Sequence, residues 1–197
     1  REYMYFAPFP ALLRLPVLMT TSEYDGRLTL LSMALAFVLM AVMTPKLVWL
    51  VRDLMTEQAP LGRFEAAAWA LFIALATGGT VWTFNASLPW VYHEVYAWAV
   101  PLVVGSMYWM LRVLKNPEPP AVLWLGAFAL ATILTRTTGG WAVCLATIGL
   151  GLWLVRGRLH PDRRATGWGV VAVGALSLLV GIAGVFAVQD RVQRVLP

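Results

Sequence analysis

Apolar runs close to the length of a bilayer crossing alternate with short charged connectors along this chain. Leu28–Val51, Ala66–Leu88, Val95–Leu114 and Trp168–Val188 are such runs. Each is near the roughly 20 residues that a membrane helix needs. In lipid no water satisfies the backbone, so a crossing segment must pair its own N–H and C=O groups as a helix. The late Pro45-Lys46 predicts a kink or an end in the first run. Gly78-Gly79 softens the second, and the third holds Pro101 and Gly105. Ala121–Val155 is two 15-residue runs split by Arg136-Thr-Thr-Gly-Gly140. At 1.5 Å per residue each run covers only about 22 Å. They admit two short or tilted spans, or a re-entrant pair. We read two spans meeting at a tight turn punctuated by Gly139-Gly140. The expected fold is all-α, a polytopic transmembrane bundle of about six helices.

Composition supports one membrane-embedded unit over residues 1–197, with an outer interfacial segment at 1–27 and membrane helices over 28–188. Hydrophobic residues make up 60% of the chain and charged residues 13%. A water-soluble domain of that composition would lack the polar surface to cover its core. The net charge of +5 sits in short connectors, where basic residues set topology; it does not point to nucleic acid. A lone Cys144 excludes an intramolecular disulfide framework and a Cys-rich metal site. No metal and no cofactor are expected. The chain begins at Arg1 without a signal peptide and stops at Pro197 after an apolar run, which reads as an internal fragment of a longer membrane protein.

One set of connectors carries Arg52, Arg63, Arg112, Lys115, Arg156, Arg158, Arg163 and Arg164, with Lys46 nearby; the other carries Arg1, Arg14, Arg27, Arg136, Arg191 and Arg194. The first set is denser between spans, so it is expected on the cytoplasmic side. The N-terminal segment, Asn85–Glu94, the Arg136 turn and the C-terminal end then face outward.

Chemistry is expected at that outer end. Arg1–Asp25 is aromatic and rich in proline (Tyr3, Tyr5, Phe6, Phe9; Pro8, Pro10, Pro16). It is too broken to span and reads as an interfacial segment at headgroup level, either a plain anchor or the rim of a lipid-substrate groove with Arg14 near a phosphate. Ser22-Glu-Tyr-Asp25 resembles a capping box. Trp90-Val-Tyr-His-Glu-Val-Tyr-Ala-Trp98 is the richest stretch. On a helix Trp90, Glu94 and Trp98 share a face with His93 beside it. A carboxylate among aromatic rings suits a sugar; the plainer alternative is an aromatic belt with a helix-start Glu. Arg136 beside Thr137 and Thr138 suits a phosphate, or is an Arg snorkelling from a helix end. Gly174, Gly181 and Gly184 fit close helix packing.

The order of these features resembles the GT-C fold glycosyltransferases. The residues that carry it are Tyr5-Phe-Ala-Pro-Phe-Pro-Ala-Leu-Leu-Arg-Leu-Pro16, then Asp25-Gly-Arg-Leu28 into a span, then Tyr92-His-Glu94 at an outer helix start. Gly126-Ala-Phe-Ala-Leu-Ala-Thr-Ile-Leu-Thr-Arg-Thr-Thr-Gly139 follows. The family includes protein O-mannosyltransferases and bacterial arabinosyl and aminoarabinose transferases. The resemblance covers about residues 1–188. It implies an extracytoplasmic site in a cell-envelope membrane that moves a sugar from a polyprenyl-phosphate donor to an acceptor hydroxyl, the acceptor being unknown. It also implies an acidic catalytic base on an outer loop upstream of Arg1; Asp25 is not that base. Arg136, with Arg14, would meet the lipid-linked phosphate, and His93 and Glu94, flanked by Trp90 and Trp98, would face the outer cavity and position hydroxyls. The alternative is a non-enzymatic multi-pass transporter or assembly subunit, since transporters place ionisable residues near the midplane.

Overall fold

The computed structural model describes residues 8–20, 28–56, 60–87, 91–156 and 163–195. Within them the chain is all-α: α1 Pro8–Leu18, α2 Leu28–Thr56, α3 Arg63–Gly78, α4 Val81–Ser87, α5 Val91–Lys115, α6 Pro119–Thr135, α7 Thr137–Arg156 and α8 Arg163–Val195. Five segments are long and apolar enough to cross a membrane: Leu28–Thr56, Arg63–Phe84, His93–Lys115, Thr137–Arg156 and Arg164–Gly184. The protein is a multi-pass membrane protein. Its outward faces carry the apolar side chains that lipid requires, among them Leu30, Leu31, Leu71, Phe72, Trp124, Leu145, Trp153, Leu176 and Leu179.

Local chemistry explains where the helices break. Pro45 neither ends nor interrupts α2, which runs on to Thr56; proline is tolerated in membrane helices because neighbouring groups take up the freed carbonyl. The second run does break. After Gly78 the chain leaves the helix, the Gly79 N–H donates to Leu75 O at 2.8 Å, and α4 restarts at Val81. Pro119 opens α6 at a position where an N–H would find no intrahelical acceptor, so the donor that proline lacks is not missed. α5 has Glu94 in its first turn and Arg112 and Lys115 in its last, each sign suited to the helix dipole there.

The α6–α7 connection departs from the expected turn. A single extended residue, Arg136 (φ −148°, ψ 112°), separates the helices, and its N–H donates to Thr132 O at 2.8 Å. Gly139 and Gly140 lie inside α7. Gly140 is instead the point where α6 leans on α7, because a Cβ there would overlap Ile133 Cα. The glycine pair therefore serves helix contact, and a one-residue link makes the reversal.

α5 and α6 run antiparallel, with Trp109 stacked on Trp124 (5.0 Å to the neighbouring Tyr108 ring, 6.0 Å to Trp124). α7 and α8 are also antiparallel. They approach closely where Gly151 and Gly167 meet, each lacking the Cβ that would strike the other helix. α6, at 17 residues, is about 26 Å long and falls short of the ~30 Å hydrocarbon layer. It nevertheless links the Lys115 end of α5 to the start of α7 through the interior, burying Leu125, Phe128, Ala129, Ala131 and Ile133. Against the six membrane helices expected, five are long enough to cross, and α6 is a shorter apolar helix packed among them. α3 is the contrast: none of its residues is buried.

Candidate functional site

One end of the bundle gathers the starts of α2, α5 and α7, the end of α6, and α1. Arg14, on the short α1, donates through Nη2 to Glu94 Oε2 on α5 and to Thr29 Oγ1 on α2, the latter at 3.0 Å. Three elements are joined by one guanidinium. The Glu94 side chain is 3% exposed and that of Arg14 27%. The pair is single-pronged: among the described residues, Glu94 Oε1 and Arg14 Nε are buried without a hydrogen-bond partner. One turn further along α5, Trp98 Nε1 donates to Ser32 Oγ at 2.9 Å, and the Phe9 ring of α1 meets the Trp98 ring edge-on at 5.3 Å. α1 is thus pinned twice, by charge and by an aromatic contact. His93 is half-buried beside Glu94.

Arg136 belongs to the same end but flanks another side of α5. It is exposed, and its guanidinium lies 4.2 Å from the centre of the Tyr96 ring. Tyr96 is two residues after Glu94, about 200° round the helix, so Arg14 and Arg136 approach α5 from different sides. Among the described residues no carboxylate pairs with Arg136. The first turn of α7 begins at the next residue with Thr137, Thr138 and Gly139. The N–H groups of a first helical turn have no intrahelical acceptor and favour anions.

The structure brings some of the sequence-predicted residues together and divides others. Glu94 and Trp98 share a buried face of α5, as helical spacing requires; Trp90 and the Ser22–Asp25 segment lie outside the described residues. Arg14, expected beside a phosphate, is committed to Glu94. Glu94, expected to face an open outer cavity, is enclosed by α1 and α2. The cause in both is the docking of α1. Sequence reasoning missed Thr29 and Ser32, and it missed the pairing. One signal for the pairing was available, since an Arg in an apolar segment and a Glu at a helix start on the same membrane side each need a partner.

A second ionic cluster stands at the other end. Arg52 Nε donates to Glu65 Oε1 at 2.8 Å, Asp53 Oδ1 lies 3.8 Å from Arg52 Nη1, and Trp69 Nε1 donates to Glu65 Oε1 at 3.3 Å. The Trp49 ring covers Arg52 at 5.9 Å. These contacts tie α3 to α2, so the cluster is a structural clip. Among the described residues no three His, Cys, Asp or Glu side chains are grouped to hold a metal ion. No protein-family model, curated protein or solved structure matches the chain.

Proposed function

We propose that this chain is the membrane portion of a glycosyltransferase that takes its sugar from a polyprenyl-phosphate donor, with Arg136 as the phosphate-binding residue. The observation that carries the reading is the state of Arg136. It is an exposed guanidinium at the bundle end, held by the Tyr96 ring and, among the described residues, by no carboxylate, and it is followed directly by the first turn of α7. A phosphate there gains charge-assisted hydrogen bonds. As a sugar leaves, the developing charge on that phosphate would be stabilised in the same way. Arg14 takes no part in this role, because drawing it away would leave Glu94 buried without its counter-charge, at a cost of about 3–5 kcal/mol. The Arg136 end is assigned to the extracytoplasmic face, because the connectors at the opposite end hold the denser Lys and Arg.

The test is binding of polyprenyl monophosphate, with the matching polyprenol as control, to the chain in phospholipid nanodiscs. We expect the phosphate to bind more tightly, and Arg136→Ala to remove most of that preference, about tenfold or more. Equal binding of the two lipids, or an unaffected Arg136→Ala, overturns the reading. A transporter is the second reading, and the burial of Glu94 in an ion pair favours it. Against it, Glu94 is the fourth residue of α5, near a helix end and far from the midplane.

A further inference from the structure

Arg136 is fixed at its backbone, and Tyr96 is what fixes its side chain. The Arg136 N–H donates to Thr132 O and its carbonyl accepts from the Gly140 N–H, each at 2.8 Å, so the residue closes α6 and opens α7. At the far end of the side chain the guanidinium lies over the Tyr96 ring, 4.2 Å from its centre. The register of α5 against α6 arranges this meeting. Trp109 stacks on Trp124, and a Cβ on Gly105 would overlap the Phe128 ring, so the antiparallel helices set 109 beside 124 and 105 beside 128. Continued towards the start of α5, the same register brings Tyr96 level with the α6–α7 link. Tyr96 is exposed while Ala97 and Trp98 next to it are buried, so its ring stands out from an anchored stretch of helix.

A ring holds a guanidinium differently from a carboxylate. A carboxylate occupies N–H donors and cancels the charge, as Glu94 does with Arg14. A ring face attracts the cation through its quadrupole and leaves the N–H donors at the guanidinium edge, with the charge intact. We infer that Tyr96 is the positioning residue of the phosphate site: its ring face presents Arg136 with the N–H edge open. The inference rests on the reading of Arg136 as the phosphate-binding residue. An arginine already held loses less side-chain freedom when the anion arrives, and both prongs of a bidentate contact stay available. The ring does the holding, and the Tyr96 hydroxyl takes no part.

The experiment takes two readings on the chain in phospholipid nanodiscs. The first is binding of polyprenyl monophosphate against the matching polyprenol. We expect Tyr96→Leu to weaken the preference for the phosphate about threefold to tenfold, and Tyr96→Phe, which retains the ring, to restore it. The second is the NMR resonance of the Arg136 Nε–H in chain made with isotope-labelled arginine, assigned by its disappearance in Arg136→Lys. A ring face moves a proton above it to lower frequency. The resonance should therefore stand apart in the wild type and in Tyr96→Phe, and return to the ordinary arginine position in Tyr96→Leu. An unshifted wild-type resonance overturns the positioning role. So does a full phosphate preference in Tyr96→Leu, or a preference in Tyr96→Phe as weak as in Tyr96→Leu, which would assign the effect to the hydroxyl. The wild-type resonance and Tyr96→Phe stand even where Tyr96→Leu folds poorly. A preference that survives Tyr96→Leu and is lost in Arg136→Ala keeps the phosphate reading and removes the role of Tyr96; equal binding of both lipids by the wild type removes both.

Discussion

The two ionic clusters at opposite ends of the bundle invert each other. At the α1–α5 end the Glu94 side chain is sealed in and that of Arg14 is partly wet, 3% against 27% exposed; at the α2–α3 end the Arg52 side chain is sealed in and that of Glu65 is wet, 6% against 38%. The sealed Arg52 is surrounded by partners: Glu65, Asp53 and the Trp49 ring. The sealed Glu94 keeps one buried oxygen without a hydrogen-bond partner among the described residues. A charge cluster that only holds helices together tends to be saturated, since every leftover atom costs stability. The two clusters therefore differ in how fully the sealed charge is matched, and the Glu94 end is the more sensitive to losing its partner.

That contrast can be broken by removing the wet partner at each end. Arg14→Leu leaves the sealed Glu94 without its counter-charge and should have the largest effect, a loss of about 3–5 kcal/mol read from denaturant unfolding in detergent. Adding Glu94→Leu to that variant should restore much of the loss, because no charge is then left buried. If the single variant is as stable as wild type, Glu94 is not a sealed charge and the inversion fails.

Glu65→Leu should cost less than Arg14→Leu, because Asp53 and Trp49 stay with Arg52. It should also loosen α3 specifically, which hydrogen exchange along Arg63–Gly78 reads directly. The tryptophan donors sharpen the same comparison. Trp98→Phe removes a buried bond to Ser32 and should cost about 1–2 kcal/mol. Trp69→Phe removes a half-exposed bond to Glu65 and should have the smallest effect, a shift in melting temperature below that of Trp98→Phe. Equal shifts would mean that the two ends are alike in burial.

Much of the fold was legible because hydropathy and helix length are local. The runs beginning at Leu28, Val95 and Trp168 fall within α2, α5 and α8, and Gly78-Gly79 marks the break between α3 and α4. Gly139-Gly140 misled because a glycine pair suits both a turn and a close helix contact, and only Ile133 pressing on Gly140 decides between them. In the candidate site, helical spacing placed Glu94 and Trp98 on one face, and Arg136 at a chain reversal needed only the apolar runs on either side.

By itself, then, the sequence determined a multi-pass helical protein, the approximate limits of its helices, and which residues bring charge to each end. Tertiary structure alone decided which charges are spent. Arg14 and Glu94 are 80 positions apart, and no periodicity links them; they meet because α1 folds back over the starts of α2 and α5. Among the described residues the partner Arg136 reaches is the Tyr96 ring and not an acid, and its side chain is left exposed. A charge in a membrane protein takes its role from the counter-charge that packing delivers, and packing is a property of the assembled helices.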